Sequence, residues 1–410
     1  MVKDSKNLVV GLDIGTSKIV AIVAEVGPEG ELNVIGLGTQ PSRGLKRGVV
    51  VNIEATMASI QRVLEEAELM ADCRIGAVTT GIAGSHIRSL NSSGMVAIKE
   101  GEVAQADIDR VIETAKAIAI PNDQQILHIL PQEFIIDGQD GVREPLGMSG
   151  VRLEVKVHIV TGAVSAVENI AKCVRRCGIE LTDIVLQPLA SAAAVLNDDE
   201  QELGVCLMDI GGGTTDIAVF AGGAIRHTAV IPIAGDQVTN DIAMTLRTPT
   251  KEAEELKIRH GCALRQLADA NDVVEVPGVG ERAPRKLSRP MLAEVIEPRI
   301  EELYTLVQSE LRRSGFEELL SSGIVITGGT SMLQGMAELG EEVFHLPCRI
   351  GVPAYMGGLA DVVRSPRYST AVGLLMHGRD QRMRADAARA QVKGLTGVAE
   401  RMRQWFKANF

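Results

Sequence analysis

Three glycine-rich turns, each entered from a run of apolar residues, hold the side chains of this sequence best suited to bind phosphate. In "VVGLDIGTSKIVAIV" (Val9–Val23) Asp13 precedes Gly15, Thr16, Ser17 and Lys18, and in "VCLMDIGGGTTDIAVF" (Val205–Phe220) Asp209 precedes Gly211, Gly212, Gly213, Thr214 and Thr215. In "GIVITGGTSMLQGM" (Gly323–Met336) an apolar strand runs into Gly328 and Gly329. Glycines at a tight turn let backbone N–H groups approach an anion, and neighbouring hydroxyls and the Lys18 ammonium add donors and charge. The first turn is not a Walker A loop, which needs GxxxxGK[ST]; here Lys18 follows Gly15 by three positions and no helix opens at once. Either hairpin alone reads equally well as an ordinary glycine-rich turn. Two copies, each with an aspartate just ahead of the glycines, suit a nucleotide held between two lobes, with Asp13 and Asp209 facing a hydrated Mg²⁺ on its phosphates. The third turn lets the backbone lie flat against a purine and ribose. Glu254 and Lys257, spaced i,i+3 in "EELK" on one helix face, complete the site.

The elements that must position these turns follow from the same stretches. Both phosphate turns read as strand, turn, strand, a duplicated β-hairpin unit with one copy in each half of the chain. Helical patterns follow each copy, "NIEATMASIQRVLEEAELMA" and "VTNDIAMTLRTPTKEAEELKIRHG", which predicts an α/β architecture with sheets covered on their faces. Between the halves, residues 85–162 carry a helix signal over 104–118 and at least three strand signals, yet repeat neither hairpin. They read as an inserted subdomain. A second insertion runs from about 235 to 307, with a loop rich in Pro, Gly and Arg, "VPGVGERAPRKLSRP", and a strong helix over 291–313. Beyond Gly378, "RDQRMRADAARAQVKG" reads as a mobile linker.

With 410 residues, 45% hydrophobic and 23% charged, the chain is long enough for two or more packed domains. A net charge of −11 argues against a nucleic-acid binder, which needs a basic face. The six cysteines contain no CxxC pair and read as reduced thiols. No leader pattern precedes the first motif and no run approaches the ~18 apolar residues of a membrane span, so the body is expected in the cytoplasm. Charge is uneven, however. Residues 379–410 hold eight basic and three acidic side chains, a net of +5, which leaves −16 on the other 378 residues. Within this basic segment Leu395, Val398, Met402, Trp405 and Phe406 form one apolar helical stripe, and Arg401, Arg403 and Lys407 lie around it. About twelve to sixteen residues are too few to span a bilayer but suit a helix lying in an anionic membrane surface. The competing reading is a terminal helix docked on the protein's own body.

"LDIGTSK", "MDIGGGTTDIAVF" and "ITGGTSMLQG", in this order, are similar to the phosphate-1, phosphate-2 and adenosine motifs of the actin, Hsp70 and sugar-kinase superfamily, and "LQPLASAAAVL" and "YSTAVGLLM" resemble its two connecting helices. Within it, the insertion containing "LHILPQEFIIDGQDGVREPLGMSG" and the basic amphipathic tail make nearly the whole chain resemble the FtsA family of bacterial cell-division proteins. The resemblance implies an actin-like α/β fold, two lobes around a nucleotide cleft, with an FtsA-type inserted subdomain. It divides the chain into a first lobe (1–84, 163–198 and a return at 366–378), the insertion (85–162), a second lobe (199–234 and 308–365) with its outer subdomain (235–307), a flexible linker (379–391) and a membrane-targeting helix (392–410).

It further implies an ATP- and Mg²⁺-binding protein that forms filaments with itself and tethers the tubulin-like FtsZ ring to the cytoplasmic side of the inner membrane at the septum. The insertion would serve filament contacts and recruit later division proteins. By motif position, residues 15–18 and 211–215 would contact phosphates and Glu254, Lys257, Gly328 and Gly329 would hold ribose and adenine. Gln187 falls where relatives orient the attacking water; a glutamine is no strong base, so any hydrolysis is expected to be slow. Its other reading is a cap on the Pro188 turn. Arg299, on the helix of the outer subdomain, would meet the acidic C-terminal peptide of FtsZ, or else pair with Glu302 or Glu297 on its own helix face. The rival function is a sugar or small-molecule kinase of the same superfamily.

Overall fold

The computed structural model describes residues 7–280, 282–354 and 356–386. The hairpin Leu8–Ile14 and Lys18–Val26 opens the first sheet, and Val205–Ile210 and Thr215–Ala221 open the second. These strands are apolar on both faces and almost wholly buried, as central strands covered by helices on each side must be.

The two sheets repeat one topology. In the first, Leu8–Ile14 pairs antiparallel with Lys18–Val26, which pairs antiparallel with Leu32–Pro41; on its other side it runs parallel to Ala77–Ile82, and that strand parallel to Glu180–Leu186. In the second, Val205–Ile210 takes the place of Leu8–Ile14, followed by Thr215–Ala221 and Ala224–Ile231 antiparallel on one side, and Ile324–Thr327 and Cys348–Ile350 parallel on the other. A short strand, Gly357–Gly358, adds to the free edge of the first sheet. The duplicated unit expected from two hairpins thus extends to five strands in each lobe.

The helices seal these sheets by apolar periodicity. Ile53–Ala71 starts at Asn52, whose side chain accepts from the Ala55 amide at 3.0 Å, and buries Ile60, Val63, Leu64, Ala67 and Ala71 on one face. Between the lobes, Val20 and Ile22 of the first sheet share one buried cluster with Leu207 and Ala218 of the second and with Ala371, Val372 and Leu375.

The first insertion has a core of its own, whereas the second shares one buried cluster with the second lobe's sheet. The first adds the helix Gln105–Lys116 and four strands ordered Arg88–Ala97, Arg152–Ala163, Gln124–Ile136 and Gln139–Val142. It is rooted in the first lobe but packs against the second: Ser89 Oγ donates to the Thr228 carbonyl at 3.0 Å, and Gln132 Nε2 to that of Ile225 at 2.8 Å. The second insertion comprises Gly235–Leu246, Thr250–His260, the two-stranded Val273–Val276 and Arg285–Ser288, and the long helix Arg289–Ser314.

The linker expected at 379–391 is corrected over its described part. Residues 369–386 form one continuous helix. Its polar side chains find partners far away in sequence: His377 Nε2 lies 2.8 Å from Asp183 Oδ2, Gln381 also bonds that carboxylate, and Arg382 reaches Asn7 Oδ1 at 3.1 Å. Residues 392–410, with the whole apolar and basic stripe of Leu395, Val398, Arg401, Arg403, Met402, Trp405, Phe406 and Lys407, lie outside the described residues.

Candidate functional site

The two hairpin turns close alike. Gly15 N donates to the Lys18 carbonyl at 3.1 Å and Gly211 N to that of Thr214 at 3.0 Å, so each turn follows its aspartate at the same distance along the chain. They face each other closely: a methyl group placed on Gly212 would fall 2.8 Å from Ser17 Cβ. Gly328 closes the third side with φ +88°, where a Cβ would meet Asp209 Oδ1 and the Ile210 carbonyl at 2.5 Å each, so only glycine fits without strain. The cleft between the turns holds a cavity of about 300 Å³, at the lower end of small-ligand sites.

Two connecting helices fix the aspartates. On Gln187–Val195, positions 187 and 191 lie one turn apart on one face: Gln187 Nε2 donates to Asp13 Oδ1 at 3.1 Å, and Ser191 Oγ to Asp209 Oδ2 at 2.5 Å. Thr370, at the start of the 369–386 helix, adds a bond to the same Asp209 oxygen at 3.2 Å. Gln187 can lie there because residue 81 is glycine, whose missing Cβ would sit 2.7 Å from Gln187 Cγ.

The electrostatics are unbalanced toward negative charge. Burial, only partly offset by Lys18 and compounded by Asp209, pushes Asp13 up to about 7. Burial also raises Asp209, against the hydrogen bonds of Ser191 and Thr370. Lys18 is lowered to about 8 by burial, against the pull of Asp13; its Nζ donates to the Arg367 carbonyl at 2.6 Å. A cation bound among these carboxylates would relieve their mutual repulsion. Among the described residues no group of three acidic, histidine or cysteine side chains is placed to ligate a metal directly.

The cleft brings together Asp13, Gly15, Thr16, Ser17, Lys18, Gln187, Asp209, Gly211, Gly212, Gly213, Thr214, Glu254, Lys257, Gly328 and Gly329. Thr215 is the exception. Its hydroxyl donates to the Ile233 carbonyl at 2.7 Å and its side chain is fully buried. Strand alternation is the reason: Thr215 and Asp216 point to opposite faces, and Asp216 is the one that lines the cleft. Burial and the neighbouring Asp209 push Asp216 up to about 8, and among the described residues its Oδ1 is buried without a hydrogen-bond partner. The sequence reading missed it, though period-2 counting along the strand would have exposed it. Ile258 and Met332, both largely exposed on the cleft wall, were also missed and offer apolar surface for a base.

Lys257 is buried and held by the Gly235 carbonyl at 3.0 Å, Thr239 Oγ1 at 2.9 Å and Glu254 at 2.7 Å, so the i,i+3 pair stabilises the wall as well as lining it. Arg299 sits elsewhere, in a groove of the outer subdomain lined by Asp241, Thr245, Glu294, Val295, Pro298 and Glu302. Its guanidinium holds Asp241 through Nε at 2.6 Å and Nη2 at 3.1 Å, and Glu302 through Nη1. Of the two helix partners expected, Glu302 pairs with it, whereas Glu297 accepts from the Arg265 amide.

Comparison with known proteins gives a consistent result. A family model described as "Cell division protein FtsA" matches residues 206–373, and one described as "SHS2 domain inserted in FTSA" matches residues 84–161, the inserted subdomain. The chain is 62% identical to the cell division protein FtsA of Pseudomonas aeruginosa, over 99% of each chain, and 46% identical to that of Escherichia coli K12, again over 99% of each. Among solved structures, the fold is similar to one titled "PilM-PilN type IV pilus biogenesis complex" (TM-score 0.66, 17% identity, 90% of this chain and 98% of that one). It is also similar to MreB5 of Spiroplasma citri bound to ADP (TM-score 0.54, 16% identity, 95% and 99%). The structural likenesses show an actin-like fold, and full-length identity gives the family: the chain belongs to the FtsA family of cell-division proteins.

Proposed function

We propose that this chain binds ATP with Mg²⁺, assembles into filaments with copies of itself, and tethers FtsZ to the cytoplasmic side of the inner membrane at the division septum, where it recruits later division proteins. The observation that carries the nucleotide part is the pair of buried carboxylates, Asp13 and Asp209, on duplicated turns facing one cleft with Lys18 between them. That the fold neighbour MreB5 was solved with ADP and with AMPPNP supports the same reading. Thr16, Ser17, the glycines at 211–213 and Thr214 would cradle the phosphates. Glu254, Lys257, Gly328 and Gly329 would hold the nucleoside, and Ile258 and Met332 would flank the base. Asp13 and Asp209, joined by Asp216, would hold the hydrated cation, whose charge offsets that of the phosphates. Gln187, tied to Asp13, would orient an attacking water without removing its proton strongly, so turnover would be slow.

For FtsZ, the groove around Arg299 offers one guanidinium that an acidic peptide can take over from Asp241 and Glu302. For the membrane, the stripe of Leu395, Val398, Met402, Trp405 and Phe406 would insert, with Arg401, Arg403 and Lys407 at anionic head groups. No helix among the described residues is long and apolar enough to cross a membrane. One such tail binds weakly, and filaments would multiply it. Co-sedimentation with anionic liposomes, with and without ATP and FtsZ, tests the scheme. Deleting residues 392–410 should abolish liposome binding and leave ATP affinity unchanged; liposome binding that survives the deletion refutes the tail's role.

A further inference from the structure

A histidine of the inserted subdomain bonds the backbone beside the cleft. His128 lies on the insertion strand Gln124–Ile136, and its Nε2 accepts the amide proton of Leu186 at 3.0 Å. Leu186 is the residue immediately before Gln187 and occupies the N-cap position of the helix Gln187–Val195, where no side chain of its own caps the helix. A helix begins with backbone N–H groups that have no internal partner, and the orientation of its first residue is set by whatever engages them. Here the engaging group comes from 58 residues away and from a different subdomain.

The same insertion strand is also anchored on the opposite lobe. Four residues past His128, Gln132 donates to the Ile225 carbonyl at 2.8 Å. On the neighbouring strand, His158 Nδ1 lies 2.7 Å from Asn91 Oδ1 and its Nε2 3.0 Å from Thr228 Oγ1. The insertion therefore spans from the second lobe's edge strand to the peptide that carries Gln187.

We propose that His128 is a positioning residue through which the inserted subdomain sets the placement of Gln187 against Asp13 and the nucleotide's terminal phosphate. The inference rests on the reading of Gln187 as the water-orienting group. To accept from Leu186, Nε2 must carry a lone pair, so the ring is neutral with its proton on Nδ1. Burial favours that state, lowering His128 to about 4 against the pull of Asp183 and with the help of His377. A shift of the Leu186 amide would move Gln187 off Asp13 Oδ1, from which it is now 3.1 Å. Misplacement by about 1 Å at a reacting centre costs up to about a hundredfold in rate.

The test uses the full chain and compares its affinity for Mg-ADP with that for Mg-ADP plus aluminium fluoride, which imitates the phosphoryl group with its attacking water. Three proteins are measured: unaltered, His128→Phe, which keeps a flat ring but no acceptor, and His128→Gln, whose amide oxygen can take the Leu186 proton. We expect the preference for the fluoride complex to fall by roughly tenfold to a hundredfold in H128F, to return in H128Q, and ADP affinity to stay the same in all three. An unchanged preference in H128F, or an equal loss in H128Q, overturns the inference and leaves the reading of Gln187 standing. An unaltered protein without any preference overturns the reading of Gln187 and this inference with it. A second measurement needs no variant: nitrogen chemical shifts of His128 should report the proton on Nδ1, and a proton found on Nε2 overturns the contact whatever the variants do.

Discussion

His158 makes the contact between the inserted subdomain and the second lobe sensitive to pH. Its ring is 1% exposed, bonded to Asn91 and Thr228, and lowered to about 4 by burial, with a further push from His227. Opening of this contact returns the imidazole to water, where it titrates at its ordinary 6.5. A histidine depressed in the closed state adds stability that is complete above 6.5 and is lost as pH falls toward and through 4. Between pH 7.5 and pH 5.0 the loss is about 2 kcal/mol, or a factor of roughly 30 in the opening equilibrium. The assay is hydrogen exchange of peptides covering 224–231, the strand that the insertion covers, in the unaltered protein and in His158→Gln. The chemical exchange rate changes with pH alike in both, and so does any contribution from His128. The ratio of their opening rates isolates residue 158. At pH 7.5 the variant should open more readily, because Asn91 and Thr228 lose their shared partner at a cost of about 1 to 3 kcal/mol. At pH 5.0 the ratio should have moved toward the variant by the factor of roughly 30, which closes or reverses a gap of up to about 2 kcal/mol and narrows a larger one. A gap that is the same at both pH values would show that the closed contact accepts a charged ring, and the reasoning from burial would be wrong.

Two further substitutions probe the cleft and the groove. Gly328→Ala should weaken ATP binding by tenfold or more, since a Cβ there meets Asp209 and the Ile210 carbonyl at 2.5 Å in a backbone conformation that costs a residue with a side chain about 1 to 3 kcal/mol. Gly329→Ala, whose Cβ would enter the open cleft with only Lys18 Nζ near it, at 3.8 Å, should also weaken ATP binding but leave the melting temperature of the nucleotide-free protein unchanged, and a drop equal to that of Gly328→Ala would refute this. In the groove, Asp241→Asn should free the Arg299 guanidinium and tighten binding of an acidic FtsZ C-terminal peptide by about two- to fivefold, because a partly exposed ion pair of about 0.2 to 1 kcal/mol no longer competes. Arg299→Ala should weaken the same interaction. If fluorescence anisotropy shows both substitutions weakening it, Asp241 is itself a contact and the caging argument fails.

What could be read from the sequence were the features whose cause is local. An aspartate two residues before a glycine, a turn and an apolar strand are all visible in a dozen residues, and the two hairpins stand as expected, each turn closed by the same i,i+3 backbone bond. Motif position assigns Thr215 to the phosphates, yet alternation along a strand sends it to the Ile233 carbonyl and delivers Asp216 instead. The helix through 379–386 was invisible for a different reason. Its sequence has no apolar stripe to mark a packed face, and what holds it is a set of polar contacts to Asp183 and Asn7, residues nearly half a chain or more away. The same holds for His128 and Leu186, since neither residue type nor spacing signals a bond between a strand of one subdomain and a helix cap of another. This division has a functional side. Local motifs specify the paired turns that face the cleft, whereas the non-local contacts join that cleft to the inserted subdomain and the last helix. Thr370 bonds Asp209 at one end of a helix whose other end leads toward the basic segment. The insertion reaches the other aspartate, Asp13, through His128 and Gln187. The helix Gln187–Val195 thus ties both aspartates to the insertion, and Thr370 ties Asp209 to the last helix as well, so a change in the charge between them bears on both.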